Sequence, residues 1–154
     1  MLAVIAETLA EIDPENAAIY RANAEAARGE LAALIAEVSG ELAPVKHREF
    51  IVFHDAYHYF EKRFGLTGAG ALLKGDAEAP SAARLKQIEH MMEEREVACV
   101  FSEPQFNAKI IRTIAGDANV AEIDPIGVTQ EVGPGLYGAV MHGMAEAFTG
   151  CLTD

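Results

Sequence analysis

A histidine and three carboxylates stand where the short apolar segments of this sequence stop. These residues are His54, Asp55, Glu103 and Asp124. An imidazole and carboxylates that converge from different strands can hold a divalent metal ion, or can act as a general base and a general acid. Taken singly, Glu103 and Asp124 are equally explained as turn residues, because each precedes a proline. A lone strand-end histidine can equally bond a neighbouring carbonyl.

The other histidines add little to this set. His58 lies four residues after His54, so the two can share a metal only if both are helical, and we expect His54 to lie outside the helix. His47 and His90 stand in polar, exposed surroundings, and His142 is expected to be structural. The sequence contains no nucleophile elbow, P-loop, HExxH motif or EF-hand loop.

Alternating strands and helices must position these residues. Apolar runs predict strands at 50–53, within 65–73 after a turn, at 97–101 and at 120–123. Helical periodicity and caps predict helices over 1–11, 14–38, 57–64, 81–95, 107–115 and 137–148, with Gly40 and Gly150 as stops and an acidic loop at 75–80. This order predicts an α/β fold with a four-stranded, mostly parallel sheet and helices on both faces. Ligands of such sheets collect outside the carboxyl ends of the strands, where the four polar residues lie.

The charge and the cysteines narrow the class of protein. The 154-residue chain has a formal net charge of −12, so it lacks the basic face that nucleic-acid binding needs. No apolar run approaches the roughly 18 residues of a membrane span, and the first residues lack the basic start of an export signal. Cys99 and Cys151 fit no metal-binding spacing. They are either two buried thiols of a cytosolic protein or one disulfide, which by chain entropy is worth roughly 4 kcal/mol.

Three longer strings carry a family resemblance. They are ELAPVKHREFIVFHDAYHYFEKRFGL, CVFSEPQFNAKIIRTIAG and IDPIG. With a last helix that ends in Cys151, they resemble the C-terminal half of the ZnuA-type solute receptors of bacterial ABC zinc importers. The opening segment, with DPENAAIYRANA, resembles the region that joins the two lobes of such receptors.

The resemblance implies metal transport without catalysis. Members of this family, which is related to cell-adhesion metal receptors, hold zinc in the cleft between two α/β lobes and deliver it to an inner-membrane ABC permease. The resemblance implies His54 as the main zinc ligand and Asp124 as a possible one. Glu103 and Asp55 would support a ligand without touching the metal, and His58 would be an accessory.

A disulfide and a division of the chain are also implied by the resemblance. The family pairs the cysteines that match Cys99 and Cys151, which implies an oxidising, periplasmic compartment. Residues 1–44 would contain the end of the inter-lobe helix and one further long helix, and residues 45–154 would form the C-terminal lobe. We expect the two parts to form one compact domain and the protein to be a monomer.

The resemblance assigns part of the zinc site to the N-terminal lobe, and several expectations follow from this. Two more histidine ligands belong to the N-terminal lobe of the family, and the abrupt helical start indicates a chain cut inside a longer helix. We therefore expect zinc binding by this lobe alone to be weak or absent. A manganese or iron receptor is the nearer alternative. A small metal hydrolase using His54, Glu103 and Asp124 is the remoter one, and a purely structural α/β module is a third.

Overall fold

The computed structural model describes residues 1–73, 81–105, 111–112 and 114–153, which form two compact units, residues 1–37 and residues 38–154. The predicted loop at 75–80 and much of the predicted helix at 107–115 lie outside the described residues. Within the described part of the chain, no helix is both long and apolar enough to cross a membrane.

The first unit is helical. Helix α1 spans Leu2–Ile12, a 3₁₀ turn spans Pro14–Asn16, and helix α2 spans Ala17–Leu42 and so continues into the second unit. Asp13 organises the junction, since its Oδ2 accepts hydrogen bonds from Asn16 Nδ2 at 2.7 Å and from the Tyr20 hydroxyl at 2.8 Å.

The prediction that Gly40 ends helix α2 is wrong, because the helix continues to Leu42. Val38 and Leu42 lie one turn apart and are fully buried. Burying two large aliphatic side chains outweighs the roughly 1 kcal/mol cost of a helical glycine. Pro44 lies in the 3₁₀ turn that follows the helix, and it lacks the N–H that would extend the α-helical ladder.

The second unit contains a four-stranded sheet in which every neighbouring pair is parallel, in the order β2-β1-β3-β4. The strands are β1, Phe50–His54; β2, Gly68–Leu73; β3, Cys99–Ser102; and β4, Asn119–Glu122. The α/β prediction is confirmed. Because all strands run the same way, the residues that follow β1, β3 and β4 lie at one edge of the sheet, which we call the carboxyl edge.

Helices cover both faces of the sheet, as the sequence predicted. They are α3, His58–Phe64; α4, Ala82–Glu94; and α5, Leu136–Leu152. On one face, the Phe50 ring contacts Phe101 and Phe148 at centroid distances of 5.8 and 4.9 Å. On the other, Ile51 and Phe53 belong to a core cluster with residues of α4. Successive β1 side chains therefore enter two different cores, which explains an uninterrupted apolar run.

The prediction that Gly150 ends the last helix is also wrong, because α5 continues to Leu152. Cys151 and Leu152 are buried, and Cys151 forms a disulfide with Cys99 of β3, with 5.9 Å between the Cα atoms. These contacts hold the last turn in place despite the glycine. The disulfide implied by the resemblance is thus present.

The disulfide gives the first testable prediction. Replacing both partners, by Cys99→Ala with Cys151→Ala, should lower the free energy of unfolding by roughly 4 kcal/mol, because the unfolded chain regains the freedom of a long closed loop. The bridged residues are 52 apart in sequence. Urea denaturation of both proteins measures the difference. The reduced wild-type chain, which keeps both sulfur atoms, is the control and should lose a similar amount. A loss below about 1 kcal/mol in both would contradict the loop-closure argument.

Candidate metal centre

His54 is the last residue of β1, and its side chain lies at the carboxyl edge. The strand is buried up to this residue, and the backbone then turns, with the Ala56 amide donating to the His54 carbonyl at 3.0 Å. The His54 side chain keeps 17% of its surface exposed. The strand thus places a partly accessible imidazole on a rigid element, which is what a ligand-presenting residue needs.

Glu103 is the carboxylate that contacts this imidazole. It directly follows β3, the strand next to β1, and it is only 1% exposed. Its Oε1 lies 2.5 Å from His54 Nδ1, and its Oε2 accepts a hydrogen bond from Gln105 Nε2 at 2.5 Å. When Glu103 is ionised it only accepts hydrogen bonds, and a neutral His54 beside it then carries its proton on Nδ1 and its lone pair on Nε2. That tautomer offers Nε2 to a metal.

Tyr57 is the third member of this cluster. It is buried, and its ring lies 6.1 Å from that of His54 in an edge-on arrangement. Burial raises the pKa of the Tyr57 phenol, and a hydrogen bond with Glu103 and the charges on Glu103 and Asp124 raise it further. The phenol therefore stays protonated between two carboxylates.

Sequence reasoning missed Tyr57 and Gln105. Tyr57 fits the apolar spacing of α3, so its polar tip gave no signal of its own. Gln105 follows Glu103 by two residues across Pro104. A rigid Glu-Pro-Gln turn after a buried strand was the available clue, because it lets the amide fold back onto the carboxylate.

Asp124 follows β4, and its carboxylate is held by its own loop. Oδ1 accepts from the Val128 amide at 3.0 Å, while Oδ2 accepts from the Thr129 amide at 2.8 Å and from its hydroxyl at 2.7 Å. Gly127 permits this fold-back with a φ of 72°, a conformation that side chains disfavour. Burial raises the pKa of Asp124, but the hydrogen bonds from Thr129 and Val128 lower it more, so the net shift is downward.

Asp55 and His58 form a separate pair. His58 begins α3, whereas His54 lies in β1 and so outside the helix, as expected. Its Nε2 lies 3.0 Å from Asp55 Oδ1, and its Nδ1 lies 3.5 Å from Glu61 Oε2. Asp55 therefore contacts His58, while Glu103 contacts His54.

The remaining histidines lie away from this edge. His47 and His90 are exposed, as the sequence indicated. His142 Nδ1 lies 2.9 Å from Glu41 Oε1, which is consistent with a structural role.

The carboxyl edge thus joins His54 and Glu103 directly and brings the charge of Asp124 to Tyr57. Among the described residues, no group of three or more His, Cys, Asp or Glu side chains is arranged to hold a metal ion. A closed zinc site takes about four ligands. The geometry suits the presentation of a ligand more than hydrolysis, because Glu103 is buried behind His54 with both oxygens engaged.

An apolar groove adjoins this edge. It has a volume of about 710 Å³ and is bordered by α3, by the loop after Asp124 and by the start of α5. Tyr59, Ile126 and Tyr137 line it, and all three are well exposed.

Comparisons with known proteins identify a family. A family model described as "ZnuA: Zinc-uptake complex component A periplasmic" matches residues 1–151. The chain is similar to the high-affinity zinc uptake system protein ZnuA of Brucella suis, with 44% identity over 155 residues that cover 99% of this chain and 46% of that protein. The chain spans about half the length of the curated relatives it matches.

Two solved structures share the fold. A crystal structure of ZnuA aligns with a TM-score of 0.79 and 31% identity, covering 97% of this chain and 54% of that one. A mutant structure of the laminin-binding adhesin Lmb of Streptococcus agalactiae aligns with a TM-score of 0.79 and 25% identity, covering 96% of this chain and 56% of that one.

The Asp124 loop gives the second testable prediction. Asp124→Ala removes an acceptor from two amides, and a hydrogen bond to a charged group is worth about 1.5 kcal/mol or more. Hydrogen exchange at the Val128 and Thr129 amides should therefore accelerate about tenfold. Two-dimensional NMR exchange measures this. Glu122→Ala, which removes an exposed carboxylate from β4, is the matched control and should leave both rates unchanged. Equal rates in wild type and Asp124→Ala would show that the carboxylate does not order the loop.

Proposed function

Because the chain belongs to the ZnuA family of periplasmic zinc-uptake components, we propose that it forms the C-terminal lobe of a zinc-binding solute receptor. In this role the lobe presents a ligand to Zn²⁺, and the complete receptor captures the ion and passes it to an ABC permease. Zn²⁺ is the cargo, and its transport involves only the formation and loss of coordination bonds. No catalytic group is needed for that task.

The contact between His54 and Glu103 carries the proposal. A neutral imidazole nitrogen suits Zn²⁺ better than it suits Mn²⁺ or Mg²⁺, which prefer oxygen ligands. Zinc-bound histidines regularly donate their other ring N–H to a carboxylate, and Glu103 Oε1 stands at Nδ1 in that position. Asp124 is the proposed second ligand, and to reach a metal it would exchange hydrogen bonds within its own loop.

The number of zinc ligands on this lobe determines how tightly the lobe alone should bind zinc. The curated relatives are about twice as long as this chain, and we assign the remaining ligands to the part of such proteins that this chain does not match. The lobe alone then binds zinc weakly, because two ligands are fewer than a tetrahedral site requires. The net charge of −12 attracts cations to the surface without adding selectivity.

The disulfide and the family description both support a periplasmic location. A bridge between Cys99 and Cys151 persists in oxidising surroundings. We therefore place the protein in the periplasm, as a monomer that meets an inner-membrane permease and the other lobe of its receptor.

Zinc titration of the chain, followed by amide and imidazole NMR shifts, is the third testable prediction. Saturable shifts should centre on His54 and on the Asp124 loop, with an affinity weaker than nanomolar. His54→Ala should abolish them. The matched control is His90→Ala, which removes an exposed histidine whose Nε2 lies 3.2 Å from Glu94 Oε1. This control should leave the shifts at residue 54 unchanged.

Three outcomes would count against the proposal. Shifts scattered over His47, His58 and His90 would indicate adventitious surface binding. Tighter binding of Mn²⁺ than of Zn²⁺ would favour the oxygen-preferring receptors. A nanomolar one-to-one zinc complex would show that the lobe holds a full ligand set. The role of Asp124 is decided separately, because its entry into the metal site must disturb the Val128 and Thr129 amides.

A further inference from the structure

We propose that Glu103 is a positioning residue that sets the tautomer and the metal affinity of His54, and that Tyr57 and Gln105 hold Glu103 in place for this task. The effect on affinity rests on the proposed zinc function. The effect on the tautomer is a property of the metal-free protein and stands independently.

Glu103 leaves the sheet beside His54 because their strands are neighbours. Strands β1 and β3 are hydrogen-bonded neighbours, with Val52 paired to Phe101. Two residues further along β1 and two further past Phe101, His54 and Glu103 leave the sheet side by side. The rigid pairing of the strands, and not a flexible loop, fixes the separation of 2.5 Å between the imidazole and the carboxylate.

Burial of the Glu103 carboxylate costs free energy. A carboxylate that is 1% exposed has lost nearly all its hydration, which is strongly unfavourable unless the charge is hydrogen-bonded. Gln105 Nε2 donates a hydrogen bond to Glu103 Oε2, and His54 Nδ1 lies next to Glu103 Oε1. An apolar side chain would fill the same volume without that cost. The carboxylate is therefore better explained by what it does to His54 than by packing.

Tyr57 lies near both Glu103 and His54. A protonated phenol beside Glu103 can donate to the carboxylate, and its ring lies edge-on to the His54 ring at 6.1 Å. It thus restrains both partners, while Gln105 restrains Glu103 through its hydrogen bond to Oε2. With Glu103 held, the imidazole has one favourable orientation, in which Nδ1–H points inward and Nε2 outward.

The consequence is a preorganised ligand. A carboxylate that accepts Nδ1–H fixes the orientation of the ring and removes the need to select a tautomer when a metal arrives. Loss of such a carboxylate typically weakens metal binding by about 10- to 100-fold.

The test begins without metal. ¹⁵N NMR of the His54 ring distinguishes a protonated nitrogen from one that carries a lone pair. At a pH where the ring is neutral, the wild-type chain should show Nδ1 protonated. Glu103→Ala should give a mixture of tautomers. Glu103→Gln should keep the wild-type tautomer, because an amide oxygen can still accept Nδ1–H.

Zinc affinity is then measured with Zn²⁺ alone, by competition with a chromogenic chelator. Glu103→Gln should weaken binding about tenfold and Glu103→Ala by up to about 100-fold. Tyr57→Phe removes only the hydroxyl and should weaken binding less than either. Glu122→Gln is the matched control, because it changes an exposed carboxylate on β4. It should change neither the His54 ring shifts nor the zinc affinity.

The outcomes separate positioning from mere support of the fold. If Glu103→Ala lowers stability while the His54 ring shifts and the zinc affinity stay at wild-type values, Glu103 is only structural and the proposal fails. If Glu103→Ala does not fold, Glu103→Gln and Tyr57→Phe decide, and wild-type affinity in both overturns it. An Nε2-protonated ring in the wild type also overturns it. Should the wild type bind no zinc at His54 while the tautomer results hold, the zinc function fails and the tautomer arm of this inference stands.

Discussion

The carboxyl edge of the sheet depends on one buried polar group, the carboxyl of Glu103. Its burial is tolerable only because hydrogen-bonding groups surround it, and those same groups are thereby fixed in position. His54 is the most consequential of them, since its imidazole offers a ring nitrogen and keeps some exposed surface. A rigid inner contact and an accessible outer nitrogen are two properties of a single side chain here.

The scaffold behind this contact is stiff for identifiable reasons. β1 is buried on both faces, between an aromatic cluster that includes Phe148 and an aliphatic cluster that includes Ile88. The disulfide ties β3 to the last turn of α5, so the strand that precedes Glu103 is anchored at its beginning. Close-packed cores transmit strain and do not absorb it. Moving His54 or Glu103 would therefore require displacement of the whole strand that precedes it.

The sequence predicted the parallel sheet, the helices on both faces and the strand-end position of the polar residues, because these follow from local periodicity. It failed where tertiary contacts override local preference. Gly40 and Gly150 looked like helix stops, yet burial of Leu42 and the bridge at Cys151 extend each helix beyond its glycine. Contacts such as that between Tyr57 and Glu103 join residues far apart in sequence, so periodicity could not reveal them. The family resemblance implied His54 as the main ligand with Glu103 and Asp55 in support, and the structure places Glu103 against the His54 ring and Asp55 against His58.

An incomplete ligand set has a physical advantage for a transport receptor. A site with all four zinc ligands on one rigid body would bind tightly in every conformation, so release would require unfolding or exchange. When two bodies share the ligands, the affinity contains an effective-concentration factor that depends on how closely the bodies approach. Opening removes that factor and leaves each body with a weak half-site. The proposed preorganisation by Glu103 would then matter most in the closed state, because an imidazole already in its metal-binding tautomer adds no reorganisation cost to closure. On this argument, the proposed weak binding by the lobe and the proposed positioning of His54 by Glu103 serve the same transport function.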